Sequence, residues 1–267
     1  MCPPARREVL LYLFGESDVA ARRLGVLAEV FAESTRAFLR ETVVCRPRLA
    51  VDVGCGPGYS THFLAGVVRS ERTVGLDNSQ HLISLAQKTE TGAVSFRLHD
   101  VTSVPFPVGP AGLLYCRFVL THLREPQAAI LKWLTQAAPE GVLAIEEVEW
   151  IRTANPVFET YLKMVEAMLA HHSNCLYVGP LVDAVQDTHI RKRASHVRRL
   201  AVANRDAATM FVLNLRAWKD QPFIRANYPA PVIEELEGDL DALAAGSGTD
   251  TEIEWGLRQI AFERVAG

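Results

Sequence analysis

Two rhythms of apolar residues run along the chain. In SDVAARRLGVLAEVFAESTRAFLRE, Leu24, Leu27, Phe31 and Phe38 recur at helical spacing behind Ser17 or Asp18 as an N-cap. This pattern predicts a long helix with its stripe turned to the core. Pro47 breaks the pattern, and RLAVDVG, apolar on both faces, predicts a strand buried on both sides. Strand and helix signals then alternate. GYSTHFLAGVV, SQHLISLAQKTE and PQAAILKWLTQAA are helical, while RTVGLDNS, VSFRLHDV, the start of GLLYCRFVLTHL and VLAIEEVEW are strands, with Pro139 and Gly141 making a turn before the last. Such alternation implies right-handed crossovers and a parallel sheet with helices on both faces.

After Trp150 the rhythm changes. PVFETYLKMVEAMLAHHS and GPLVDAVQDT are helical with no strand between them, and HVRRLAVAN is a strand. Another helical stretch with Pro229 and Pro231 follows, then a break at AAGSGTD and a closing strand in IEWGLRQIAFERV. The divisions this predicts are a helical cap at 1–46, an α/β core at 47–150, a helical lid insertion at 151–195, and C-terminal strands with a helical insertion at 196–267.

Composition narrows the class. Of 267 residues 49% are hydrophobic and 22% charged, as in an ordinary soluble globule, and no apolar run reaches the roughly 18 residues of a membrane span. The stretch from Val9 to Phe14 is too short for a secretory signal, so a cytoplasmic protein is expected. The five cysteines, Cys2, Cys45, Cys55, Cys116 and Cys175, show no zinc spacing and read as reduced thiols. A net charge of −3 argues against a polyanion-binding protein. The basic run IRKRASHVRR, Ile190 to Arg199, reads as a helix C-terminus followed by a solvated edge strand.

The chemistry concentrates in VDVGCGPGYST, Val51 to Thr61. A phosphate-cradling loop would need a lysine after the glycines, and none follows. A dinucleotide fingerprint needs a third glycine where Tyr59 or Thr61 stands. What remains is Asp52 followed by Gly54, Gly56 and Gly58, an acid and then glycines at every second position. This resembles the first motif of the class I S-adenosylmethionine-dependent methyltransferases. Asp77, 19 residues after Gly58, Asp100 closing VSFRLHD, and Cys116 and Arg117 ending the fourth strand stand in the order that family places its cofactor contacts.

The resemblance covers residues 48–150. It implies a Rossmann-like seven-stranded methyltransferase sheet with helical lid insertions, binding S-adenosyl-L-methionine and releasing S-adenosyl-L-homocysteine. It assigns the turn of Asp52, Gly54, Cys55, Gly56 and Gly58 to the methionine end, Asp77 to the ribose, Asp100 to the adenine, and Cys116 and Arg117 to the methionine portion, and it counts Asn78 and Val101 among the cofactor contacts. The opening YLFGESDVAARRLGVLAEVF is similar to that of bacterial small-molecule methyltransferases and adds Tyr12 as a cofactor contact.

Methyl transfer needs alignment and exclusion of water, and a base only when the acceptor must lose a proton. His122, just past the fourth strand, is the base candidate. Of Glu146, Glu147 and Glu149, alternation turns one to the cleft, and Glu147 is taken as that carboxylate. Trp150, Phe158, Tyr161, Met164, Met168, His171, His172 and Tyr177 in or beside the inserted helices read as core first and as an aromatic substrate lining second, with Tyr177 a third catalytic candidate. No metal site is expected, because His171 and His172 cannot face one pocket.

The expected function is methyl transfer to oxygen, nitrogen or a ring carbon, an indole included, of a small aromatic or heterocyclic acceptor in bacterial secondary metabolism. The chain would act as a monomer or homodimer, without membrane or nucleic-acid partners. The alternatives are an RNA or protein methyltransferase, or a regulatory module that binds the cofactor without turnover.

Overall fold

The computed structural model describes Gly15, residues 17–247 and residues 252–265. Helix α1 (Asp18–Thr42) opens the described chain, and Ser17 caps it by accepting the Ala20 N–H. Its stripe divides: Phe31 and Phe38 are buried as expected, while Leu24, Leu27 and one side of Phe31 line a cavity.

The predicted alternation follows: β1 (Leu49–Val53), α2 (Tyr59–Val68), β2 (Arg72–Asp77), α3 (Gln80–Gln87), β3 (Val94–Leu98), β4 (Ala111–Arg117), α4 (Pro126–Leu134) and β5 (Ala137–Arg152). Beyond these lie α5 (Pro156–His171), α6 (Gly179–Asp183), β6 (Ile190–Ala203), α7 (Asn204–Trp218), α8 (Pro222–Asn227), α9 (Ala230–Ala244) and β7 (Glu252–Arg264). Pro222 and the pair Pro229 and Pro231 sit at the starts of α8 and α9, where a missing N–H costs nothing.

The seven strands form one sheet in the order β3-β2-β1-β4-β5-β7-β6. Strands β1 to β5 pair in parallel, and β7 inserts antiparallel between β5 and β6. Chain direction reverses sideways between β1 and β4, because β2 and β3 lie on one side and β4 and β5 on the other. Ligands of open α/β sheets bind beyond the strand ends at such a switch point.

Two local expectations give way. The turn at Pro139 and Gly141 is a bulge within β5: Ala111 pairs with Ala137 and Leu113 with Val142, and Glu140 takes φ +60° to absorb the extra residues. The run from Ile190 to Arg199 contains no helix end. It is all β6, paired with β7 from Ile190 opposite Arg264 onward, so strand pairing overrides the local pattern. As the sheet edge, β6 carries charge that blunts further pairing. Arg191 and Arg193 pair with Glu263 at 2.7 and 3.5 Å, and Lys192 with Asp183 at 3.0 Å.

Of the helices after β5, α5 and α7 reach the cavity at the strand ends, and α8 and α9 pack against these two. Phe158, Met164 and Met168 are core residues, as their spacing implies, packed with Phe211 and Trp218 of α7. No described helix is long and apolar enough to cross a membrane.

Candidate functional site

The glycine turn is held from both sides. Gly54 and Cys55 donate their N–H groups to the Leu76 carbonyl at 2.8 and 3.0 Å, tying the turn to β2. Asp52, 2% exposed, accepts from the Ser60 and Thr61 hydroxyls, both at 2.7 Å, and so draws the first turn of α2 back onto β1. Burial raises the Asp52 pKa, against those two hydrogen bonds and the charge of Arg117. Asp52 thus shapes the turn from behind and does not line the cavity in front of it.

The three glycines serve different ends. A Cβ on Gly54 would collide with Val119 of the loop after β4, so this glycine lets the two strand-end loops meet. Gly56 lines the cavity at φ +53°. Gly58, at φ +92°, does not line it; a Cβ there would lie 2.6 Å from the Phe96 ring, so this glycine allows α2 to pack on β3. Gly58→Ala is therefore expected to lower unfolding free energy by about 2 kcal/mol or more. Gly56→Ala, at φ +53° but facing only the movable Leu24 side chain at 3.1 Å, should cost about 1 kcal/mol of left-handed strain and weaken ligand binding as well. Denaturant titration beside calorimetry separates the two effects.

At the end of β2, Asp77 accepts the Gly56 N–H on Oδ2 at 2.8 Å and the Ser79 N–H on Oδ1 at 2.9 Å. The carboxylate is fixed in direction by these two backbone donors, one on each oxygen. Asn78 is exposed beside it. Asp100 follows β3, its Oδ1 taken by the Thr102 N–H and hydroxyl at 2.9 and 2.7 Å. Val101 is clamped by the Trp133 indole, which donates to its carbonyl at 2.7 Å.

The loop after β4 rests on Glu147. Its Oε1 accepts the N–H groups of Val119 and Leu120 at 2.8 and 2.7 Å, the first donors of a 3-10 turn over Leu120–His122. Glu147 is fully buried, and burial pushes its pKa up to about 8 against those two hydrogen bonds. It supports the cavity floor from below and does not line it. On the opposite face of β5, Glu146 is equally buried and accepts from Tyr115, Thr35 and Gln259 at 2.6, 2.7 and 2.6 Å, joining β4, α1 and β7. Arg117 donates to Thr35 at 3.1 Å and so enters the same network.

In front of these strand ends lies a cavity of about 200 Å³. Gly54, Cys55, Gly56, Asp77, Asn78, Asp100, Val101, Arg117 and His122 line it together. Cys116 does not; its side chain is packed in the core. Tyr177 does not line it either. Its hydroxyl donates to Glu166 at 3.0 Å, and burial together with that carboxylate raises its pKa, which keeps the phenol protonated and away from the reaction. Tyr12 lies outside the described residues.

His122 keeps some exposed surface, but its Nδ1 is sheltered from solvent. Burial, with the Arg23 charge second, lowers its pKa to about 3. The imidazole is neutral across the physiological range and is a weak proton acceptor.

Of the far half of the cavity, the sequence offered Tyr161 alone, as part of an aromatic substrate lining. Phe31 from α1, Ile151 from β5, Tyr161 from α5, Met210 and Phe211 from α7, and Trp255 from β7 form an aromatic and aliphatic chamber. Tyr161 stacks on Phe211 at 4.2 Å between centroids. Arg23, 5% exposed in α1, reaches this chamber and donates to Asn214 Oδ1 at 2.8 Å, while Asn214 donates to the Tyr161 hydroxyl at 3.0 Å. No local signal in the sequence sets Arg23 apart from its exposed neighbour Arg22.

Comparison with known proteins decides the family of the core. A family model described as a methyltransferase domain matches residues 51–145. Residues 51–145 are a class I methyltransferase domain. A trans-aconitate 2-methyltransferase of Delftia acidovorans is 36% identical over 111 residues, 41% of this chain and 41% of its own. One from Yersinia pseudotuberculosis is 32% identical over 124 residues, 43% of this chain and 45% of its own. The chain thus matches less than half the length of these relatives.

Two solved structures share the fold at low identity. Coclaurine N-methyltransferase bound to N-methylheliamine and S-adenosylhomocysteine has a TM-score of 0.53 and 13% identity, over 87% of this chain and 72% of that one. The [4+2]-cyclase SpnF has a TM-score of 0.53 and 18% identity, over 88% and 82%. The methyltransferase domain takes S-adenosylmethionine as its cofactor, and the near half of the cavity fits it. It offers a fixed carboxylate at Asp77 for a diol, a second acid at Asp100, and a glycine turn with no side chain at Gly56 to hold a ligand off.

Proposed function

We propose that this protein transfers the methyl group of S-adenosylmethionine to a small organic acceptor with an apolar or aromatic body. The observation that carries this reading is the joining of two halves in one cavity: the cofactor half at the strand ends and the aromatic chamber under α1, α5 and α7. A regulatory module would need only the first half. When bound, the cofactor supplies an electrophilic methyl on a sulfonium, and the chain supplies alignment and shelter from water.

Asp77 would hold the ribose, Asp100 and Val101 the adenine, and the turn of Gly54, Cys55 and Gly56 the methionine end. Asp52, Gly58 and Glu147 would act through the shape of the loops they brace. The buried Leu120–His122 turn, pinned by Thr121 to the Cys175 carbonyl at 2.6 Å, would seat His122 as a neutral hydrogen-bonding partner of the acceptor. His122→Gln should then lower kcat/KM about tenfold, the value of one hydrogen bond, without moving the pH profile. A lost rate limb between pH 6 and 7 would instead identify it as a base.

A small acceptor is favoured over RNA or protein. The basic strand β6 lies at the sheet edge, outside the cavity lining, and three of its five cations are committed to Glu263 and Asp183. The relatives named for trans-aconitate point the same way. That the fold also serves a cyclase means turnover has to be shown. The test is to incubate the protein with S-adenosylmethionine and a small-molecule panel and to follow S-adenosylhomocysteine. Acceptor-dependent formation supports the reading; binding without formation across acids, phenols, amines and indoles returns it to a regulatory module.

A further inference from the structure

The methyl acceptor has to satisfy a chamber whose described walls are apolar except around Arg23. Phe31, Met210, Phe211 and Trp255 give it flat hydrophobic walls. Into them projects Arg23, 5% exposed, its Nη1 oriented at 2.8 Å by Asn214, which is itself fixed at 3.0 Å by the Tyr161 hydroxyl. Three helices, α1, α5 and α7, each contribute one residue to this polar chain. A guanidinium held in a wall of low dielectric is the usual means of recognising a carboxylate, which its planar fork matches.

The charge of Arg23 also reaches His122, where it adds to burial in disfavouring the imidazolium. Arg23 thus places a positive charge beside the acceptor end of the cavity. The other lining cation, Arg117, is tied to Thr35 in the network of Glu146 and also offsets the Asp52 charge, so it belongs to the strand ends.

Resting on the methyltransferase reading above, we propose that the acceptor is a monocarboxylic acid with an apolar or aromatic body, held through its carboxylate by Arg23 and methylated there to a methyl ester. Among the described residues one cation lines this chamber, which suits one negative charge, in contrast to a tricarboxylate such as trans-aconitate. The chemistry balances without a base. A carboxylate oxygen forms the bond to the methyl carbon as the carbon–sulfur bond breaks, the bonding pair stays on sulfur, and the sulfonium becomes a neutral thioether. No proton is transferred, in keeping with an adjacent imidazole that accepts protons poorly.

The test uses the full chain with phenylacetate, cinnamate and decanoate as acids, p-cresol, tyramine and indole as acceptors without a carboxylate, and trans-aconitate as the tricarboxylate. Monocarboxylic acids should gain one methyl in a product that alkali returns to the acid, and phenylacetate should bind calorimetrically to the protein saturated with S-adenosylhomocysteine. R23Q should weaken that binding and raise the acid KM by about 10- to 100-fold, leaving S-adenosylhomocysteine affinity within threefold. N214D, nearly isosteric, should do the same by placing a competing carboxylate against Arg23, and covers the case in which R23Q fails to fold.

The proposal is overturned if the acids are inert, if p-cresol, tyramine, indole or trans-aconitate is preferred, or if the product resists alkali. It is also overturned if both variants lose S-adenosylhomocysteine affinity with acid binding intact, which would give Arg23 to the cofactor's own carboxylate. Failure of the wild-type chain to bind S-adenosylhomocysteine at all would instead overturn the methyltransferase reading on which the proposal rests.

Discussion

Asp77→Asn should lower affinity for S-adenosylhomocysteine by about 100-fold, the worth of one or two hydrogen bonds to a charged group. The carboxylate is oriented by the Gly56 and Ser79 N–H groups, one on each oxygen, so a vicinal diol would meet two fixed acceptors with no reorganisation. In the asparagine variant one oxygen becomes an NH2 group that faces a backbone donor and opposes a ribose hydroxyl. Part of the loss will come from the loosened glycine turn, because Asp77 is also its anchor. Calorimetric titration gives the affinity, and circular dichroism with a melting curve reports whether the fold is intact. An unchanged dissociation constant would remove Asp77 from the site.

The second large effect is a pH dependence set by Glu147. Its carboxyl has an ordinary value of 4.5 and is raised to about 8 in the folded protein, by burial first and secondarily by the charge of Glu146. The groups facing it are the Val119 and Leu120 N–H donors and, across the sheet, Glu146; its charge in turn raises the Cys116 thiol. Between these two values the folded state holds a proton that the unfolded state has released. Its stabilising contribution is therefore complete below about pH 4.5 and is lost as pH rises toward 8.

Glu147→Gln keeps an oxygen for both backbone donors and removes the titration. Relative to this variant, the wild type should lose on the order of 1.4 kcal/mol per pH unit through the middle of that window. Denaturant unfolding of both proteins at pH 5, 6, 7 and 8 measures the difference, and two parallel stability curves would contradict it. Glu147→Leu, which leaves the Val119 and Leu120 donors buried without their acceptor, should be worse than Gln at every pH.

The cofactor half of the site was legible because it is written in local chemistry. The turn after β1, the acids after β2 and β3 and the loop after β4 lie next to their strands in sequence, and the switch point brings those strand ends together. The departures within that half have a common cause. Asp52, Gly58 and Cys116 belong to the motif but point inward, to α2, Phe96 and the core, and one sequence cannot separate a residue that touches a ligand from one that shapes the turn around it.

Alternation along β5 was expected to turn one glutamate to the cleft. Instead Glu146 and Glu147 are both buried, one toward α1 and β7 and the other under the loop after β4, because a central strand covered on both faces has no wet side. The acceptor half, Tyr161 apart, was hidden for a different reason. Arg23, Tyr161, Asn214 and Trp255 come from four elements far apart in the chain and meet only through packing. Arg23 stands beside the exposed Arg22 in a helix whose charged residues read as solvated, and nothing local distinguishes the two.

The central claim is that the glycine turn and Asp77 hold S-adenosylmethionine and not a dinucleotide. Its most direct test is calorimetric titration of the purified protein with S-adenosylhomocysteine, with NAD as the matched control. The account predicts saturable one-to-one binding of S-adenosylhomocysteine that Asp77→Asn weakens, and no heat of binding with NAD. Binding of NAD, or no binding of S-adenosylhomocysteine, would contradict it.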